Sequence, residues 1–252
     1  MAEDGRSTVQ SVQRAFDILE IMASGGADWG ISEIAAQTGL PLPTIHRILR
    51  TLADGGYVYQ TARRRYALGA RLIPLARKAG GALNSILQPL LTEVVDQTHE
   101  SANVAMAERD RARYVAHVPS DRSMRMFTRV GNEVMLHATG VGKAILSTMA
   151  DDDIRALLGR TGMAPATPRT ITDVETMMRE IAVVREHGYA LDDEEQELGV
   201  ICVAVPVPDS DTLALSISGP QSRMTARAVA EAVPVLTDVA QRISAELLIA
   251  RD

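Results

Sequence analysis

Apolar residues over the first eighty positions recur at three-and-four spacing in three short runs, each closed by glycine. Val12, Ala15, Phe16, Leu19, Met22 and Ala23 predict one buried helical face, with Ser11 as N-cap and Gly25-Gly26 as the stop. Ser32 opens a second predicted helix, in which Ile34 and Ala35 face inward and Gly39 ends the run. Pro43 suits the first turn of a third helix, where its missing N–H would be unpaired in any case. Ile45, Ile48, Leu49 and Leu52 form the buried stripe of that helix. Past Gly55-Gly56, YVYQ and RYALG read as two strands around a turn at TARR. Two short helices joined by a Gly-containing turn and followed by a hairpin predict a winged helix-turn-helix.

The pattern then changes twice. Residues 70–100 keep helical periodicity, with breaks expected near Gly80-Gly81 and at Pro89. Leu87, Leu90, Leu91, Val94 and Val95 share a stripe that suits packing within the chain or against a partner subunit. From Asn103 onward β-type segments dominate. NVAMAE and ARYVAHV read as a hairpin, MRMFTRV and EVMLHA as further strands, and GVICVAVPV and LALSISG as another pair. GKAILSTM, DDDIRALLG and ITDVETMMREIAVVREHG read as helices, and a closing helical region from Met224 is interrupted near Pro234. Strands mixed with segregated helices make an α+β fold with antiparallel pairing. The expected division is 8–70 for the winged helix-turn-helix, 71–83 for a linker helix and 84–252 for a second domain.

Thr44, His46, Arg47, Arg50 and Thr51 lie off the apolar stripe of the third helix. Hydroxyl, imidazole and guanidinium groups reach base edges or phosphates when a helix lies in the major groove, although the same residues also suit a plain solvated face. Arg63, Arg64 and Arg65 fall at or beside the hairpin tip with no acid near them in sequence. A phosphate backbone would offset their mutual repulsion. The charge distribution points the same way. Residues 1–80 hold ten Lys and Arg against seven Asp and Glu, whereas residues 81–252 hold 16 against 25. A basic module on an acidic body fits DNA binding confined to one end, even though the net charge is −6.

Composition narrows the chemistry. With 46% hydrophobic and 23% charged residues the chain is globular rather than disordered. Its one cysteine, Cys202, leaves no internal disulfide and no CxxC redox or zinc site. The five histidines show no HExxH spacing and there is no GxSxG elbow, so neither an enzyme, a metal site nor a cofactor is expected. MAEDGRSTVQ has no apolar run, and no segment approaches the roughly 20 apolar residues of a membrane helix. A cytoplasmic protein is expected.

Candidate ligand chemistry sits in three places. ATGVG ends a strand and opens a helix, so the amides of Gly140, Val141 and Gly142 suit a carboxylate, or else simply make a tight turn. His137 and Ala144 exclude a phosphate loop there, and Lys143 either attracts an anion or points to solvent. Asp192 begins the acidic run DDEEQE, which by itself suits a solvated loop, and Cys202 by itself suits a small core residue. Ser216 and Ser218 are two apart on a strand, so both hydroxyls face one side and need partners.

The segments SVQRAFDILE, ISEIAAQTGLPLPTIHRILRTLADGGYV, RRRYALGARL, HATGVGKAILS, LDDEEQELGVICVAVPV and LSISGP follow one another from about residue 11 to residue 220. In order and spacing they resemble the IclR family of bacterial regulators. That resemblance implies a winged N-terminal domain, a linker helix and a GAF/PAS-like effector-binding domain. It also implies that Gly140, Val141, Asp192, Cys202, Ser216 and Ser218 line an effector pocket. Leu136, Met124 and Phe127 are expected as its apolar walls, and a small organic or aromatic acid as its ligand. The expected partners are a palindromic operator DNA and a second copy of the chain, with a dimer of dimers left open. The alternative is a constitutive DNA-binding protein whose second domain serves only dimerisation or partner binding, so that no ligand alters operator affinity.

Overall fold

The computed structural model describes residues 9–249, which divide into two units between Gly81 and Ala82. The first unit holds α1 (Gln10–Ala23), α2 (Ile31–Thr38), α3 (Leu42–Asp54) and the antiparallel hairpin of β1 (Val58–Gln60) with β2 (Tyr66–Leu68). Ile18, Met22, Ile34, Ile45, Leu49, Val58 and Tyr66 make its core. Gly39 ends α2 in the left-handed region (φ +66°), and its amide donates to the Ala35 carbonyl at 2.9 Å. The loop before α2 is tied to the hairpin, because Trp29 bridges to Tyr66.

Two details differ from expectation. The N-caps are Val9 and Gly30 rather than Ser11 and Ser32, and at α2 the Glu33 carboxylate accepts from the Gly30 amide in place of a serine cap. The buried face of α1 is turned toward Ile18 and Met22, which leaves Val12 and Phe16 more than half exposed.

α4 (Leu72–Thr98) is one 27-residue helix, and the division between the units falls inside it. The expected breaks at Gly80-Gly81 and Pro89 are absent, so residues 72–83 are the opening part of a 27-residue helix. Pro89 sits on an exposed position, where water can replace the lost backbone bond. The same holds for Pro234 within α8 (Ala226–Ile249), which is continuous.

The second unit is built on a six-stranded antiparallel sheet of β3 (Ser101–Glu108), β4 (Arg111–Val118), β5 (Glu133–Met135), β6 (Ala190–Asp193), β7 (Val200–Pro206) and β8 (Leu213–Pro220). Their order is β5-β4-β3-β8-β7-β6. MRMFTRV is irregular chain, whereas the start of the acidic run, unexpectedly, supplies β6. One sheet face is aliphatic: Val104, Ile201, Val203, Val205, Leu215 and Ile217 pack with Leu87, Leu91 and Val94 of α4 and Leu236, Val239 and Ile243 of α8. The other face is lined by small residues, among them Ala105, Ala112, Ala190, Ala204 and Ala214. It packs with α5 (Gly140–Leu146), α6 (Asp151–Thr161) and α7 (Val174–His187). Replacing large aliphatics by alanines on one face sets how close α5 can come. Among the described residues no helix is long and apolar enough to cross a membrane.

Candidate functional site

On α3 several polar side chains lie outside the core. His46, Arg47 and Arg50 are exposed. Thr44, Arg47 and Thr51 line a groove of about 630 Å3 together with Phe16 and Leu19 of α1. The Thr51 hydroxyl donates to the Arg47 carbonyl at 3.0 Å, so its proton is committed to the helix.

At the hairpin tip Arg63 and Arg64 are exposed, and Arg64 adopts a left-handed conformation (φ +57°). Arg65 behaves differently. Its Nε donates to Asp28 Oδ1 at 2.6 Å, and its Nη2 donates to Glu33 Oε2 at 2.7 Å and to the Asp28 carbonyl at 2.9 Å. Hydrogen bonding from Arg65 holds the Glu33 carboxyl below its ordinary range. The expectation that no acid offsets the three arginines is therefore corrected. Asp28 and Glu33 are distant in sequence, but the fold brings them to the wing, and Arg65 is a strut between hairpin and α2 rather than a free cation.

In the second unit the expected effector residues gather on the small-residue side of the sheet. Asp192, Cys202, Ser218 and Ser101 are successive register partners across β6, β7, β8 and β3. One row along, Ala204, Ser216, Asn103 and His117 pair across β7, β8, β3 and β4. Directly opposed residues point to one face, so these two rows form a continuous polar strip. Gly140, Val141, Asp192, Cys202, Ser216 and Ser218 are all buried.

The glycines of ATGVG have a packing reason. A Cβ at Gly140 would lie 3.1 Å from the Cys202 sulfur and 3.2 Å from its carbonyl, and one at Gly142 would collide with the Leu136 backbone. Bare α-carbons let α5 sit directly on β7. Thr139 caps α5, its hydroxyl accepting from the Gly142 amide at 3.1 Å.

Burial dominates the electrostatics. Asp192 Oδ1 accepts from the amides of Glu195 (2.8 Å) and Gln196 (3.3 Å), which builds the turn after β6. Burial outweighs those bonds and, with the neighbouring Glu195 charge, raises the Asp192 carboxyl to about 7. Burial also pushes the Cys202 thiol up to about 12, helped by Asp192. The Tyr114 phenol is raised by burial and then by the charges of Cys202 and Asp192, which places it within their electrostatic reach. A bulge produces this: Val104 faces Ala116 but Ala105 faces Tyr114, and the extra residue swings Tyr114 onto the polar side.

Three expectations change. Met124 and Phe127, expected as apolar walls, are 68% and 75% exposed, whereas Leu136 is buried. The acidic run is not a solvated loop, because Asp192, Glu194 and Glu195 are buried. Lys143 points neither to solvent nor to an open anion seat. It is fully enclosed, with Nζ donating to Glu195 Oε1 at 2.6 Å and Glu180 Oε1 at 3.0 Å. Even so, burial leaves the Glu195 carboxyl raised, so desolvation exceeds the attraction of the lysine.

Sequence reading missed Asn103, His117 and Tyr114. The signal for the first two was present: one amide and one imidazole stand next to the apolar stretches of NVAMAE and ARYVAHV. In the structure His117 Nδ1 lies 2.8 Å from Asn103 Oδ1.

Comparison with known proteins finds relatives of both units. The family described as IclR helix-turn-helix domain matches residues 11–62, and that described as bacterial transcriptional regulator IclR C-terminal matches residues 81–245. The acetate operon repressor of Salmonella typhimurium is 32% identical, over 94% of this chain and 89% of its own. An IclR transcriptional regulator from Alicyclobacillus acidocaldarius has 30% identity and a TM-score of 0.71, covering 95% of this chain and 99% of that one. An IclR homolog from Microbacterium hydrocarbonoxydans, solved with 4-hydroxybenzoate, shares the fold at 21% identity and a TM-score of 0.68, covering 95% and 99%.

Proposed function

Because this chain belongs to the IclR family of bacterial transcriptional regulators, we propose that it is a ligand-responsive DNA-binding protein whose second unit takes a small organic or aromatic acid. The observation that carries the ligand half is the buried polar strip itself. Asp192, Cys202, Ser216 and Ser218 are gathered on one face, and the fully enclosed Ser216 hydroxyl has only the Cys202 thiol beside it. A thiol is a weak hydrogen-bond partner, so a ligand oxygen would satisfy that hydroxyl better. The 4-hydroxybenzoate held by the Microbacterium homolog is an acid of the proposed class.

On the DNA side, the exposed His46, Arg47 and Arg50 of α3 are the base-reading and phosphate-contacting groups, with Thr44 and Thr51 on the flank toward α1. Arg63 and Arg64 contact phosphate from the wing, and Arg65 keeps the wing in place. A homodimer presents two such modules to a palindromic operator. Footprinting on the intergenic DNA upstream of the gene tests this half. A protected site with two-fold symmetry supports it, and uniform weak protection at physiological salt opposes it.

A further inference from the structure

Two polar atoms on the small-residue face are under-satisfied, and they are neighbours. Asn103 Nδ2 and Ser216 Oγ are both in fully enclosed side chains; Asn103 Nδ2 makes no hydrogen bond, and Ser216 Oγ has only the weakly accepting Cys202 thiol beside it. Asn103 and Ser216 are direct register partners on β3 and β8, so their Cβ atoms lie roughly 4.5–5.5 Å apart on one face. Every other polar group of the β3 row is occupied: Ser101 Oγ accepts from the Ser120 amide at 3.1 Å, and Asn103 Oδ1 is taken by His117 Nδ1. A carboxamide oxygen has no proton to give, so Asn103 Oδ1 fixes His117 as the donor and fixes its own amide nitrogen on the opposite side, toward Ser216.

We propose that Asn103, oriented by His117, is a recognition residue of the effector pocket, and that its amide N–H and the Ser216 hydroxyl together donate to one carboxylate oxygen of the effector. This rests on the effector-binding reading given above and adds the group that distinguishes an acid from its uncharged analogues. Lys143 cannot serve that purpose, because Glu180 and Glu195 already neutralise it. The anionic end of the ligand is therefore held by uncharged donors. His117 supports the arrangement electrically as well: burial lowers its pKa, so it remains a neutral imidazole that orients the amide without adding charge.

The test is calorimetric titration of the full chain with benzoate and benzamide, and with lactate and lactamide. Wild type is compared with Asn103→Asp, Asn103→Ser and Ser216→Ala. Asn103→Asp keeps the acceptor for His117 and replaces the donor with an acceptor. Asn103→Ser removes the amide without placing a carboxylate in the interior. The expected result is binding of an acid by wild type, about tenfold or more weakening of that acid in Asn103→Asp, and a comparable fall in the acid-to-amide affinity ratio. Ser216→Ala and Asn103→Ser weaken the acid with a smaller loss of ratio. A merely structural role would lower acid and amide equally, and an unchanged ratio in the variants overturns the proposal. A wild-type preference for the amide also overturns it, since it would mean that Asn103 presents oxygen instead of nitrogen. Wild-type protein that binds none of the four probes defeats the effector reading itself, and this inference with it.

Discussion

Lys143 Nζ lies 2.6 Å from Glu195 Oε1, and the lysine is closed off from solvent altogether. The contact joins α5, which carries Gly140 and Val141, to the turn after β6, which begins at Asp192. Glu180 of α7 completes the cluster at 3.0 Å. Three elements, two of which carry proposed pocket residues, are therefore pinned by one ammonium group.

Removing that ammonium leaves Glu195 buried and uncompensated. Lys143→Met is expected to destabilise the second unit by about 3–5 kcal/mol, the range for breaking a buried pair on one side. Urea denaturation followed by circular dichroism measures this. A loss below about 1 kcal/mol would mean that water reaches the cluster.

Asp192 gives a pH signature. Its carboxyl is raised from an ordinary 3.8 to about 7, so the folded state holds its proton more tightly than the unfolded state does. The associated stability is fully present below the ordinary value and is lost as pH rises through about 7. Asp192→Asn keeps an oxygen for the amides of Glu195 and Gln196 and removes this titration. The melting temperature of the variant relative to wild type should rise between pH 5.5 and pH 8. A difference that stays flat across that range contradicts the assignment.

Arg47→Ala and Arg50→Ala are expected to weaken operator binding while the second unit stays folded. Each lost phosphate contact lowers the slope of log affinity against log salt by about one, whereas a lost base contact lowers affinity for the operator more than for unrelated DNA. Affinity measured at several salt concentrations separates the two. No change in either quantity removes α3 from the DNA contact surface.

Arg65→Ala separates strut from contact. It should expose the wing to faster amide hydrogen exchange around Trp29 and Tyr66, which the Arg65 contacts with Asp28 and Glu33 hold together. Arg63→Ala should leave that exchange unchanged and lower only the salt slope. Equal exchange in both variants would make Arg65 an ordinary tip residue.

Much of the architecture was legible from local signals. Gly39 at a left-handed helix end, the apolar stripe of α3 and the strand pair flanking Arg63 and Arg64 each follow from short-range rules, and each is found in place. Long helices were read less well. Glycine pairs and prolines are breakers on average, but Pro89 and Pro234 sit where the apolar stripes of α4 and α8 are anchored on the sheet, and packing overrides the local preference there; Gly80-Gly81 lies in the exposed opening part of α4. The site was harder still. Cys202, Ser216 and Ser218 could be placed on strands by alternation, yet Asp28 and Glu33 beside Arg65, or Glu180 and Glu195 beside Lys143, depend on contacts between residues more than thirty positions apart. Acidic residues in a run look solvated in sequence, and only the chain path around Asp192 shows them enclosed.

The central claim is that one molecule couples acid binding in the second unit to operator binding in the first. Fluorescence anisotropy on labelled upstream intergenic DNA tests it directly, with titration by lactate, pyruvate, succinate, benzoate and 4-hydroxybenzoate at physiological salt. The account predicts sequence-specific binding that at least one acid strengthens or weakens, and loss of that response, but not of basal binding, in the Ser216→Ala, Ser218→Ala double variant. Specific binding unaffected by acids that calorimetry shows to be bound would contradict the coupling and leave a constitutive DNA-binding protein.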